Sequence, residues 1–264
     1  LKVRSMVGLL PLLAVETASK DFFDIHPLFK NRMDWFLNRH PEFKDSIASF
    51  ESQTSGNKQL LAMLSRERLI SVLEYMLDEN EFLSEFGIRS LSKYHEKNPY
   101  TMVLGGKTYT ISYEPGDSQS RLFGGNSNWR GPVWLPLNFL IIESLQKFHY
   151  YYGDNLKVEC PTGSGNWMTL WEVSVEISRR LINLFMIKED GTRPADGNNE
   201  LFKKDPNWKN MILFHEFFHG ETGLGLGASH QTGWTSLVAK LIQQSGRHQK
   251  RTWKEDSKDY KIKT

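Results

Sequence analysis

The chain has 264 residues, 39% of them hydrophobic and 24% charged, the make-up of an ordinary globular protein with one large core. Its formal net charge of +2, from 33 basic and 31 acidic residues, excludes a global field that would draw nucleic acid or an anionic membrane, so recognition has to be local. One cysteine, Cys160, excludes an internal disulfide framework and, with no Asn-x-Ser/Thr acceptor in the sequence, leans towards a cytoplasmic setting.

Val3, Met6, Val7, Leu10 and Leu13 fall at helical spacing, so the opening segment reads as a helix that Pro11 kinks or ends. A second helix is expected over 27–40, started by Pro27, striped by Phe29, Met33, Trp35, Phe36 and Leu37, and stopped by Pro41. Residues 46–58 are polar and read as loop. Ser65 suits the N-cap of a helix over 66–78, with Leu69, Val72, Leu73 and Met76 as its stripe. Alternating residues on either side of Gly105-Gly106 predict a short hairpin. The longest helix is expected over 132–152, with proline in its first turn, Gly153 as its stop, and Val133, Leu137, Leu140, Ile141, Leu145 and Phe148 inward. Another runs over 168–188, striped by Leu170, Ile177, Leu181, Leu184 and Phe185, and after a loop over 191–210 the last covers 232–244 with Trp234, Leu237, Val238, Leu241 and Ile242. Residues 247–264 read as a charged tail.

The apolar runs 6–15 and 135–142 are too short to span a bilayer. The chain opens at Leu1 directly in an amphipathic pattern and reads as part of a longer protein. Long loops rich in Gly and Asn separate the helices, which is unusual for a simple bundle and marks the loops as the place to look for chemistry.

Three loop constellations qualify. His215-Glu216-Phe217-Phe218-His219 matches H-E-x-x-H, in which two histidines one helical turn apart hold zinc and the glutamate acts as base. Zinc is the discounted reading, because Gly220, Gly223, Gly225 and Gly227 follow at once and break the helix the motif needs; the set of metal ligands expected is therefore none. The second constellation, 124–134, holds Trp129 and Trp134, whose flat faces suit a pyranose ring, with Arg130, Asn126 and Asn128 to pair with hydroxyls. Its alternative is a helix-entry loop whose glycines serve only the backbone. A shorter element of similar character, Gly87-Ile88-Arg89-Ser90-Leu91-Ser92, adds Arg89 to the candidate binding residues. The third constellation is Glu216 among Phe214, Phe217 and Phe218. An apolar neighbourhood of that kind tunes a carboxylate for acid-base work, or it surrounds a paired structural glutamate.

Together these motifs resemble glycoside hydrolase family 63, the processing α-glucosidases and bacterial relatives such as mannosylglycerate hydrolases. The likeness rests on residues 126–134 and 87–92, on Phe214-His215-Glu216-Phe217-Phe218-His219-Gly220, and on Gly227-Ala228-Ser229-His230-Gln231-Thr232-Gly233-Trp234-Thr235. It implies an all-α fold, here the C-terminal part of an (α/α)6 toroid over residues 1–246 with the hairpin as a small β excursion, and no cofactor. It also implies an inverting enzyme in which one carboxylic acid protonates the leaving oxygen and one carboxylate activates water. By motif position Glu216 matches the general base, Trp129, Arg130, Trp134 and Trp234 line the sugar subsite, and His230 and Gln231 lie near it. The family's acid is an aspartate from an earlier part of the toroid, and no carboxylate here matches its motif. Asp24, Glu114 and Asp117 are the acids at hand. The expected partners are an oligosaccharide or small glycoside and the remainder of the parent toroid. A non-catalytic carbohydrate-binding or interaction module is the alternative from another class.

Overall fold

The computed structural model describes residues 2–41, 58–118 and 129–248. In chain order these form a 3-10 helix Met6–Leu13, β1 (Val15–Ser19), α1 (Lys20–Ile25), α2 (Pro27–Arg39), β2 (Lys58–Ala62), α3 (Arg66–Met76), β3 (Leu83–Ser84), β4 (Gly87–Ile88), α4 (Tyr94–Lys97), β5 (Tyr100–Leu104) and β6 (Lys107–Ile111). There follow α5 (Leu135–Tyr152), β7 (Lys157–Glu159), β8 (Trp167–Thr169), α6 (Leu170–Asn183), α7 (Glu200–Lys204), β9 (Phe217–Phe218), β10 (Gly225–Leu226) and α8 (Val238–His248). Every sheet among the described residues is a two-stranded antiparallel pair, so the core is made by helices. α5 packs along α6 and α6 against α8. Leu145, Phe148, Leu170, Val173, Ile177, Leu181 and Leu241 share one apolar cluster there.

Capping and turn chemistry fixes several boundaries. The Ser65 hydroxyl accepts the Arg68 amide at 3.4 Å and opens α3, whose Leu69, Leu73 and Met76 are fully buried. Thr169 and Glu172 form a reciprocal capping box at the start of α6, satisfying two amides that a helix N-terminus leaves without partners. Gly105 and Gly106 take φ of 57° and 74°, the two left-handed residues of a tight hairpin turn, and set the β5–β6 register with Leu104 opposite Lys107.

Other boundaries differ from expectation for physical reasons. The opening segment is a 3-10 helix, and its buried residues are Met6, Leu9 and Leu12. That spacing of three is the 3-10 period; Val7 and Leu10, expected inward, are exposed. Of the α2 stripe only Leu37 is buried, while Phe29, Trp35 and Phe36 face out. α5 begins at Leu135 and not at Pro132, with Pro136 in its first turn, because Val133 is drawn into a β-bridge. Within the 191–210 loop, Pro194–Asp196 forms a 3-10 turn and α7 a short helix. α8 runs on to His248; the rest of the expected tail, 249–264, and the expected loop over 46–57 lie outside the described residues. No helix among the described residues is long and apolar enough to cross a membrane.

The candidate active site

Two isolated bridges join three distant segments into one short ladder: Arg89 pairs with Val133, and Val133 pairs with Phe218. The Val133 amide donates to Phe218 O at 2.8 Å and the Phe218 amide returns to Val133 O at 2.9 Å. On the other side the Ser90 amide donates to Pro132 O at 3.0 Å and the Gly131 amide to Ser90 Oγ at 3.1 Å. The 87–92 element, the Trp134 loop and the Glu216 run therefore meet on one backbone floor. Gly131 permits this approach. Its φ is 158°, and a Cβ there would lie 2.6 Å from the Glu114 carbonyl oxygen. The floor is tied to α5 by Asn138, fully buried, whose side chain accepts the Ile88 amide at 2.7 Å and donates to Ile88 O at 3.0 Å and Trp134 O at 2.9 Å.

Above the floor lies an aromatic surface. Trp129 stacks on Trp134 with centroids 4.2 Å apart and planes 4° from parallel. Trp134 in turn stacks on Phe217 at 4.9 Å and meets Trp234 edge-on at 6.2 Å. Trp134 and Phe217 are buried, whereas Trp129 is 42% and Trp234 38% exposed. Two indoles thus offer faces to solvent while the inner rings hold them in place. Asn126 and Asn128 lie outside the described residues.

Glu216 stands at the edge of this surface. The Trp234 indole N–H donates to the Glu216 carbonyl oxygen at 3.1 Å. The Glu216 amide donates to Ala228 O at 2.9 Å, and the Ala228 amide returns to Glu216 Oε2 at 3.2 Å. Gly227, at φ 69°, leaves room for the carboxylate, since a Cβ would stand 2.7 Å from Oε2. Gln231 anchors the other side, its amide donating to Phe214 O at 2.6 Å, and the exposed His230 ring lies 5.9 Å from the Phe214 ring.

The histidines of the H-E-x-x-H run do not adopt the zinc geometry. Residues 217–218 are strand and pair with 225–226, and residue 216 is a bend, so the histidines do not lie on one helical turn as the zinc motif needs. The His215 ring faces Gly225, and its Nδ1 is buried without a partner among the described residues. Burial holds the pKa of His215 below its ordinary value, with Asp196 opposing.

Both arginines expected at the sugar are engaged by carboxylates of this chain. Arg130 is 2% exposed and pairs with Glu114 at 3.0 Å. Arg89, also buried, donates Nε and Nη2 to Glu221 Oε1 at 3.1 and 3.0 Å and Nη1 to backbone carbonyls, Glu79 O among them. Both guanidinium groups are thus held by ion pairs within this chain. The acids divide too: Glu114 is held by Arg130, while Asp24 and Asp117 are exposed on α1 and on the loop after β6.

Glu221, Tyr113 and Lys93 were not legible as site residues. Glu221 also accepts Tyr113 Oη at 2.6 Å and Lys93 Nζ at 2.8 Å, a convergence visible only after folding. Burial pushes its carboxyl up, but the hydrogen bonds from Lys93 and Tyr113 and the charges of Arg89 and Lys93 outweigh this and hold it at about 2. Burial pushes the Tyr113 hydroxyl up, with Glu221 adding to it. Because the folded pKa of Glu221 lies below the ordinary 4.5, its stabilisation is present above that value and is lost as pH falls towards about 2. Glu221→Gln is therefore expected to lower the urea midpoint near neutral pH, with the gap to wild type closing in acid. A gap that stays constant would show that the ion cluster adds nothing.

No protein-family model matches the chain. Among curated proteins it is similar to an uncharacterized protein of Saccharomyces cerevisiae, 49% identical over 249 residues, covering 93% of this chain and 23% of that protein. It is also similar to a probable mannosyl-oligosaccharide glucosidase of Schizosaccharomyces pombe, 27% identical over 67% of this chain and 16% of that protein. The mannosyl-oligosaccharide glucosidase of Saccharomyces cerevisiae is 25% identical over 66% of this chain and 15% of that protein. The chain thus has a distant, partial relationship to mannosyl-oligosaccharide glucosidases, and it spans less than a quarter of the length of each of these relatives.

Proposed function

We propose that this chain is the base-bearing portion of an inverting glycoside hydrolase of family 63 that cleaves α-glucosidic or α-mannosidic bonds. The observation that carries the reading is the joint between Glu216 and the aromatic surface: Trp234 bonds the Glu216 backbone and meets Trp134 edge-on. A sugar stacked on Trp129 or Trp234 would lie beside that carboxylate. The ionised carboxylate of Glu216 takes a proton from water as the water attacks the anomeric carbon, and an acid on the opposite face protonates the leaving oxygen. In inverting enzymes the two carboxyl groups stand roughly 6.5–9.5 Å apart to admit the water. In this reading the acid comes from the rest of the parent protein, because no carboxylate of this chain matches the family's acid motif. In this reading α5, α6 and α8 belong to an (α/α)6 toroid completed by the rest of the parent protein.

A carbohydrate-binding module without catalysis uses the same aromatic surface, and the pairing of Glu114 with Arg130 favours it as the second reading. One titration separates them. Glucose, mannose and small α-linked oligosaccharides are followed by Trp fluorescence, with free monosaccharide assayed in the same samples. Binding with release supports the hydrolase; binding without release from the complete protein supports the module; no binding removes both. Trp129→Ala is expected to weaken binding about tenfold, as loss of one stacking face does, while the melting temperature moves little because Trp129 is partly exposed. Gross unfolding would instead mark Trp129 as a packing residue.

A further inference from the structure

The glycosidase reading uses Glu216 and leaves the second histidine of its motif without a role. His219 follows the Phe217–Phe218 strand, and its ring lies beside Leu226, the residue paired with Phe217. Phe217 in turn stacks on Trp134 of the aromatic surface. The His219 ring occupies a niche opened by Gly116, where a Cβ would stand 2.9 Å from its Cδ2.

The ring is held in one protonation form. The Glu221 and Thr222 amides both donate to its Nδ1, at 3.1 and 3.2 Å. Nδ1 is therefore the acceptor and the proton sits on Nε2. Partial burial keeps the ring neutral, with Glu221 pulling the other way. Among the described residues no acceptor takes the Nε2–H. Two backbone amides fix a neutral donor next to the aromatic strand, and that donor has no acceptor among the described residues.

We propose that His219 is a recognition residue for the sugar, its Nε2–H donating to a hydroxyl of the pyranose that stacks on Trp129 or Trp234. This rests on the reading of that surface as a sugar site. A neutral N–H donor suits a hydroxyl oxygen, which can accept while donating its own proton to a carboxylate. The selectivity it supplies is between a sugar bearing that hydroxyl and its deoxy analogue, because the analogue leaves the donor unpaired in a site emptied of water.

The test titrates glucose and its 2-, 3-, 4- and 6-deoxy analogues into wild type, His219→Phe and His219→Gln, with Trp fluorescence as the readout. One deoxy analogue is expected to bind wild type about tenfold more weakly than glucose. His219→Phe should bind glucose about tenfold more weakly and lose that discrimination, and His219→Gln, which keeps an N–H near Nε2, should recover most of it. Equal weakening toward every sugar with a lowered melting temperature would overturn the proposal in favour of a packing role, as would glucose affinity within twofold of wild type in His219→Phe. An imidazole 15N spectrum showing the Nδ1–H form near neutral pH would overturn it without any sugar. If wild type binds no sugar, the site reading falls and this inference with it; if wild type binds and His219→Phe is indifferent, only this inference falls.

Discussion

In the full-length parent protein, Glu216→Gln is expected to lower turnover of α-linked glucosyl substrates by about 10²–10⁴-fold, the range for loss of one general base, with sugar affinity within a few-fold of wild type. The amide keeps the size of the carboxylate, so it still fits against Gly227 and can still accept the Ala228 amide. The backbone contacts that hold residue 216, to Ala228 and to the Trp234 indole, do not involve the side chain. What the amide lacks is the capacity to take a proton from water. Steady-state rates together with fluorescence titration of the same preparation check this. Turnover within threefold of wild type would remove Glu216 from the chemistry, and loss of binding along with turnover would point to a role in holding the sugar.

Asn138→Leu is expected to destabilise the protein by about 3–5 kcal/mol, measured by urea unfolding near neutral pH. Leucine keeps the branched shape and heavy-atom count of asparagine and leaves no cavity, so the cost comes from hydrogen bonds. The Ile88 amide and carbonyl, both in a fully buried segment, lose their partner together, and each stranded group costs about 1–3 kcal/mol. Trp134 O keeps its bond from the Asn138 backbone amide at 3.1 Å, which limits the damage there. Since Ile88 adjoins Arg89 in the ladder, the loss should also perturb the fluorescence of Trp129 and Trp134. A cost below about 1 kcal/mol would mean that water or a neighbour replaces the amide, and that the floor does not depend on Asn138.

What could be read from the sequence follows the range of the interactions involved. Ser65 as a cap, the Gly105-Gly106 turn and the inward row of Leu170, Ile177 and Leu181 are set by neighbours within a turn or two, and all appear as expected. The pairing of β1 with β2 was not foreseen, because its partners, Val15 and Ala62 at one end, stand far apart in the chain and neither strand alternates strongly. Pro132 was read as a helix start because proline suits that position, but tertiary pairing of Val133 overrode the local signal. The same limit applies at the site. The aromatic residues and Glu216 announced themselves by composition and motif, whereas the burial of Arg89 and Arg130 and the part played by Glu221 depend on partners that no local pattern reveals.

The ladder of Arg89, Val133 and Phe218 also bears on when the protein becomes competent. Helices α5 and α6, neighbours in sequence, can condense early, but the ladder forms only after long stretches of chain have been closed, a loop-closure entropy that must be met before the pairing offsets it. A partly folded chain would therefore carry its helices while Glu216 and the indoles were still apart. In the proposed reading, competence towards sugar is expected to arrive only once this ladder has paired.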